Sequence, residues 1–333
     1  MVRLHYVRPK AGLNEMEQTR EQVIKTLCES WVDAAQQPGG GFVIGAATEK
    51  YRLHRNGISF HELTYSEVQT ACSGLSRVLL FKGLNTVIDL DHQLFWAWVG
   101  EMLLSPRSTF FSNDESELRR LFETCIRAAL AGISPPPQSK EDWERQRELS
   151  ELVEFNTRQL VLNAHLALAY LGLPLLEGLL KKVCYNYVDY SGTVVDAFDV
   201  PTAGGGVRNY VPGDPRKGKC SSLRDLMFLL YQRVADPDLH SRLDEIRDLF
   251  RDLDNTVDPF DQLYSWRNQS LHGETSFPTI GGTLLNLAAL IAFNQLRGNY
   301  EHHRDEVWGN VQRDIGTLRF TGHRSPWSYY PPF

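Results

Sequence analysis

The sequence is short of cysteine pairs, of positive charge and of long apolar runs. Its five cysteines, Cys28, Cys72, Cys125, Cys184 and Cys220, are odd in number and nowhere spaced as C-x-x-C. That argues against a disulfide framework or a structural zinc site and for reduced thiols in a cytoplasmic protein. Lys and Arg total 35 against 41 Asp and Glu, a formal charge of −6. The molecule as a whole therefore does not attract a polyanion, and any nucleic-acid binding must rest on a local basic site. A membrane span needs about 20 mostly apolar residues. The most apolar stretch, 160–180, is interrupted by Asn163, His165 and Glu177, so it reads as core helix. The opening residues MVRLHYVRPK carry no signal-peptide core. No repeat period is visible, and no group of His, Cys, Asp or Glu has metal-ligand spacing. No cofactor, metal or membrane partner is expected.

What is present is an ordinary globular composition, 42% hydrophobic and 23% charged, over a length that suits one large domain or two. Helical spacing predicts helices over 14–37, 65–80, 91–104 and 114–131, the last capped by Asn113 or Asp114. Asn56-Gly57, between two short extended runs, predicts a β-hairpin. Ile133-Ser134-Pro135-Pro136-Pro137 cannot continue a helix and reads as a linker. A long helical pattern follows from Glu141 to about Leu171, is broken at Gly172-Leu173-Pro174, and resumes over 175–188. Residues 191–220 form a Gly/Pro-rich insert. Helical patterns return at 221–235, 238–253, 258–272 and 280–296, and an aromatic, Pro-rich tail closes the chain. The expected fold class is mainly α. A mixed, mostly helical unit with a small hairpin spans 1–137. A helical bundle interrupted by the insert spans 138–300. A C-terminal arm, packed on the bundle or on a partner subunit, spans 301–333.

The segment richest in chemistry is Leu263-Tyr264-Ser265-Trp266-Arg267-Asn268-Gln269-Ser270-Leu271-His272-Gly273-Glu274. Cleaving RNA without a metal requires a group that takes the 2′-OH proton, one that protonates the 5′-oxygen, and one that holds the charge of the pentacoordinate phosphate. An imidazole titrates near neutral pH and suits proton transfer. A guanidinium is planar, permanently charged and forked, and suits phosphate. Asn268 could orient either. Five residues of ideal helix separate Arg267 from His272 by roughly 140° and about 7.5 Å of rise. The two converge only if the helix breaks there, as Gly273 and Pro278 suggest, or if a second copy faces the first.

Arg267-Asn268-Gln269-Ser270-Leu271-His272 resembles the R-x4–6-H motif of the HEPN ribonucleases, in the form with a polar residue directly after Arg. The apolar helices on either side, with Leu-Leu-Glu-Gly-Leu-Leu upstream and Ile280–Leu296 downstream, resemble that family's frame across roughly 140–300. The resemblance implies an all-helical bundle and a homodimer that brings two motifs together. It also implies metal-independent endoribonuclease activity leaving 2′,3′-cyclic phosphate and 5′-OH ends. Many members resemble toxins or anti-phage defence effectors, with a regulator or antitoxin as a further partner. Others are non-catalytic RNA-binding or dimerisation modules, which is the alternative here. Arg267, Asn268 and His272 are the expected catalytic residues. Glu177 matches the acidic residue that members often carry on an upstream helix, although a solvated or capping role suits it equally.

Gly213-Asp214-Pro215-Arg216-Lys217-Gly218-Lys219-Cys220 fits G-x4-G-K, but Cys220 stands where a P-loop needs a Mg²⁺-binding hydroxyl and Pro215 removes a backbone donor. Arg208, Arg216, Lys217 and Lys219 instead form a basic loop suited to RNA phosphate. Asp91, near a helix start, reads as a cap, His165 as a core histidine, and His302-His303 as a solvated face.

Overall fold

The computed structural model describes residues 18–37, 47–81, 90–106, 108–131, 163–271, 278–322 and 328–331, with scattered positions at 139–148 and 325. Helices α1 (Arg20–Gln36) and α2 (Tyr65–Leu79) each start at a capping box. Thr19 and Gln22 exchange side-chain and backbone hydrogen bonds, as do Thr64 and Glu67, which satisfies donors that a helix start leaves orphaned. Helix α3 spans Leu90–Leu104. Helix α4 (Ser116–Leu130) is entered through a 3₁₀ turn whose box is Ser112 with Glu115. After the expected linker and the first part of the long helical pattern, which lie outside the described residues, come α5 (Ala164–Val183), α6 (Leu223–Leu229), α7 (Pro237–Leu253) and α8 (Pro259–Leu271). Helix α6 runs on as a π turn to Val234. Helices α9 (Pro278–Leu296) and α10 (Tyr300–Thr321) complete the order.

The fold is mainly helical with one small antiparallel hairpin. That hairpin is not at Asn56-Gly57. Residues 49–62 form three 3₁₀ turns, with Gly57 at φ 76° closing the second. The left-handed glycine that favours a tight hairpin serves a helical turn equally well. The buried Asp91 carboxylate holds this turn, accepting from Leu53 N at 2.6 Å, His54 N at 3.1 Å and His54 Nδ1 at 2.6 Å. It therefore holds the start of a neighbouring turn.

Helix α9 is buried on every side from Ile280 to Phe293. Helices α2, α3, α5 and α7 cover it, so segments before and after the proline run share one hydrophobic cluster. The approach of α5 is close. A side chain at Gly281 would meet the Ala169 backbone N at 2.8 Å, and one at Gly172 would meet Leu284 at 3.1 Å. This packing also explains why Pro174 does not break α5. Tyr170, whose carbonyl the proline leaves without a donor, lies on the exposed face with Pro174 itself, so water can satisfy it. One polar group sits in the middle of this apolar contact. Asn286, fully buried, accepts from Trp96 Nε1 at 2.7 Å and donates to Ser76 Oγ at 3.0 Å.

The arm begins with the 22-residue helix α10. Its His303 is buried and bonds Met102 O at 2.7 Å, whereas His302 stays exposed beside Glu306. The tail packs on its own chain. Buried Glu101 accepts from the backbone N–H of Tyr329 and Tyr330 at 2.5 and 2.9 Å, and the Tyr329 ring lies against Gly100.

Asn286→Leu keeps the branching of the side chain, adds some bulk and removes the acceptor of the buried Trp96 N–H. An orphaned buried donor costs about 1–3 kcal/mol, so denaturant unfolding should show a loss of that size. Ser76→Ala leaves Trp96 paired but strands the Asn286 N–H that Ser76 accepts, so it should show a loss in the same range.

Candidate functional site

Helix α8 carries the R-N-x3-H segment. It is fixed at its start by Asp258, which accepts from Phe260 N at 2.9 Å and pairs with Arg247 at 3.1 Å. Phe260 and Leu263 are buried, and Trp266 packs on Phe250 with ring centroids 5.1 Å apart. Trp266 is thus a bundle residue. On the same helix Arg267 and Asn268 are half-buried. Among the described residues Arg267 forms no ion pair and no side-chain hydrogen bond, whereas most arginines of this chain do. His272 directly follows the last helical residue and lies outside the described residues.

Glu177 is held by Lys181 one turn later, at 2.9 Å. Its carboxylate is engaged within α5 and does not meet Arg267. His165 is half-buried near the start of α5.

The insert folds into a defined unit. Isolated bridges Val188↔Val194 and Thr193↔Lys219 frame it. Strands β1 (Phe198–Pro201) and β2 (Val207–Tyr210) pair antiparallel from Phe198↔Tyr210 to Pro201↔Val207. Phe198, Val200 and Tyr210 face inward, the two rings stacked at 4.7 Å. Lys182 on α5 meets Glu115 at 2.6 Å, and the Tyr190 hydroxyl donates to the same carboxylate. Burial pushes the Glu115 carboxyl up, but bonds from Lys182, Tyr190 and Ser112 outweigh it and hold it below its ordinary value. This tie anchors the base of the insert to α4 and α5.

On the outside of β2 lies a cleft of about 580 Å³. Arg208, Arg216, Lys217 and Lys219 all line it, with Thr202, Asn209, Tyr210, Ser221 and Ser222. The four cations singled out from sequence thus converge on one space, and no Asp or Glu lines it. The hydroxyl and amide groups around them were not legible, because they come from the hairpin and from the turn into α6, segments whose meeting no local pattern announces.

Beneath the cleft sits Asp225, 1% exposed on its side chain. It accepts from Arg208 at 2.7 Å, from the Tyr210 hydroxyl at 2.7 Å and from Arg224 at 3.1 Å. Burial and the Asp225 carboxylate push the Tyr210 phenol well above its ordinary value, so it stays a donor at all working pH. Arg224 also bonds Pro201 O and reaches Asp261, in the first turn of α8, at 2.5 Å. One guanidinium therefore joins the hairpin, α6 and α8.

The P-loop pattern serves a different purpose. Asp214 Oδ1 accepts from Arg216 N at 2.7 Å and Lys217 N at 2.9 Å, and Gly218 N donates to Asp214 O at 2.8 Å. The amides that would cradle a phosphate are turned toward an aspartate. Among the described residues no three His, Cys, Asp or Glu side chains converge as metal ligands do. All five cysteines are free and buried. Burial raises the thiols of Cys125 and Cys184 to about 12 and of Cys220 to about 11, which makes them poor nucleophiles. Compared with protein-family models, curated proteins and solved structures, the chain matches none of them.

Removing one partner of a buried ion pair typically costs about 3–5 kcal/mol. Asp225→Ala takes one of two carboxylates from Arg224, which keeps Asp261, and leaves the buried Tyr210 hydroxyl without its acceptor, so chemical denaturation should show a loss near the lower end of that range. Asp199→Ala, on the exposed side of β1, should stay within about 0.5 kcal/mol of the parent.

Proposed function

We propose that the protein is a metal-independent endoribonuclease of the HEPN type, with Arg267, Asn268 and His272 as its catalytic residues. The observation that supports this reading best is Arg267. It is half-buried near the end of α8, in a chain rich in carboxylates, and no carboxylate among the described residues meets it. Its guanidinium is therefore left to take a ligand. A phosphate would meet it with two oxygens.

The reaction balances on proton transfers alone. The 2′-oxygen attacks phosphorus as its proton passes to a base. The bond from phosphorus to the 5′-oxygen breaks as that oxygen receives a proton, leaving a cyclic phosphate and a 5′-hydroxyl. His272 supplies proton transfer and Arg267 holds the equatorial oxygens. Asn268, directly after Arg267, orients the pair. One motif carries one imidazole, whereas the reaction needs a proton acceptor and a proton donor. A two-fold axis beside α8 would supply both from a single self-complementary patch.

His272→Ala should lose RNA cleavage by about 10²–10⁴-fold with unchanged thermal unfolding. Arg267→Lys, which keeps charge but not the fork, should be markedly impaired. Both are read on total RNA in EDTA with end-group analysis of the products. Wild-type rates in both variants would remove Arg267 and His272 from the site, whereas a parent protein that cuts no RNA would turn the reading toward a non-catalytic binding or dimerisation module. Sedimentation at micromolar concentration should give a homodimer. A cleaving monomer would remove the shared-site arrangement and leave the individual residue roles standing.

A further inference from the structure

We propose that the cleft on the insert is a second, non-catalytic site that binds the sugar-phosphate backbone of single-stranded RNA away from the scissile bond. The proposal rests on the ribonuclease reading only for the choice of RNA as the polyanion. The cleft itself is argued from charge, exposure and the absence of a base seat.

Arg216, Lys217 and Lys219 are exposed, and among the described residues none of them forms an ion pair. Arg208 is different, since Asp225 holds it at 2.7 Å and so fixes one guanidinium at the cleft floor. Thr202, Asn209, Ser221 and Ser222 add neutral groups of the kind that contact phosphate and sugar oxygens. Lys217 is placed by its own backbone. Its N–H is taken by Asp214 and its carbonyl by Val211 N at 3.1 Å. The loop is therefore pre-shaped rather than dependent on its cations for its form.

The shape of the site favours a strand over a small polyphosphate. A small-ligand pocket buries most of its ligand and offers an apolar seat. Here the cations stand in solvent, exposed Val207 is the one aliphatic side chain of the lining, and the one aromatic residue, Tyr210, is 6% exposed with its ring stacked on Phe198. No face is open for a base to stack on, so the site reads phosphate and not sequence.

The test is fluorescence anisotropy with a labelled single-stranded RNA of mixed sequence, about 20 nucleotides long to span such a site. The full-length His272→Ala protein serves as parent, so that the probe stays intact. The comparison is the same protein carrying Arg216→Ala, Lys217→Ala and Lys219→Ala, with Arg208 kept so that Asp225 is not orphaned. Each lost phosphate contact lowers the salt slope by about 0.7 for a single strand. The triple variant should therefore bind at least about tenfold more weakly at low salt and show a log–log slope smaller by about 2. Thermal unfolding should match the parent. Should the triple variant misfold, Lys217→Glu alone, at an exposed turn position, must weaken binding in the same direction. Unchanged affinity and slope would overturn the proposal. So would loss of inorganic tripolyphosphate binding with RNA binding retained, which would make the cleft a small-polyphosphate site. Binding that behaves as expected in a protein that cuts no RNA would leave the cleft standing and remove the ribonuclease reading.

Discussion

The structure depends on the covering of a single helix that has no polar face. Helix α9 is apolar around its whole circumference through Phe293, and such a helix is stable in water only when neighbours enclose it. Helices α2, α3, α5 and α7 do so. Dispersion and hydrophobic burial set the strength of that enclosure but not its register, because an all-apolar surface can slide. Asn286 removes that freedom. Its side chain must find both Trp96 and Ser76, and a slip of one residue would leave the buried Trp96 N–H and the Asn286 amide unsatisfied, while Ser76 keeps the Cys72 carbonyl. The two glycines at the α5 crossing act alongside it, since a side chain at Gly281 would meet the α5 backbone and one at Gly172 would meet Leu284.

The positions of helices were largely legible in the sequence because their signals are local. Capping boxes at Thr19 and Thr64 mark helix starts, and at the third start the cap is Ser112, boxed with Glu115, rather than the expected Asn113 or Asp114. What was not legible depended on which face of an element would be buried. Pro174 looks like a stop, yet its orphaned carbonyl faces water and the helix continues. Asn56-Gly57 looks like a hairpin, yet Asp91 gathers the neighbouring amides into helical turns. His303 looks solvated beside His302, but their side chains point about 100° apart on a helix, and one faces Met102. The strands formed instead in the Gly/Pro-rich insert, where alternation over four residues was too short a signal to weigh.

The site is divided in the same way. The proposed catalytic segment stands out within one stretch of sequence, and the structure places its Arg267 and Asn268 near the end of α8. The cleft could be read only in part. Its cations stand out as residue types, but their convergence depends on the register Val200↔Arg208 and on Asp214 folding the loop back. Neither is a property of a local window.

The acidic net charge and the basic cleft are reconciled by how the charges are distributed. Below the cleft, Arg208, Asp225, Arg224 and Asp261 form a chain of two guanidinia and two carboxylates, neutral in sum. Such pairing is what makes Asp225 and Arg224 tolerable at their depth, since an unpaired charge there would cost several kcal/mol. Arg216, Lys217 and Lys219 stand outside that chain. Apart from Asp214, which holds their loop, the acids responsible for the net −6 act on them across solvent, where interactions fade over about 8 Å at physiological salt. A surface can therefore be acidic on average and still present a positive field at one cleft. Because Arg224 ties that cleft's floor to the first turn of α8, the positive patch and the helix bearing Arg267 are parts of one fixed frame.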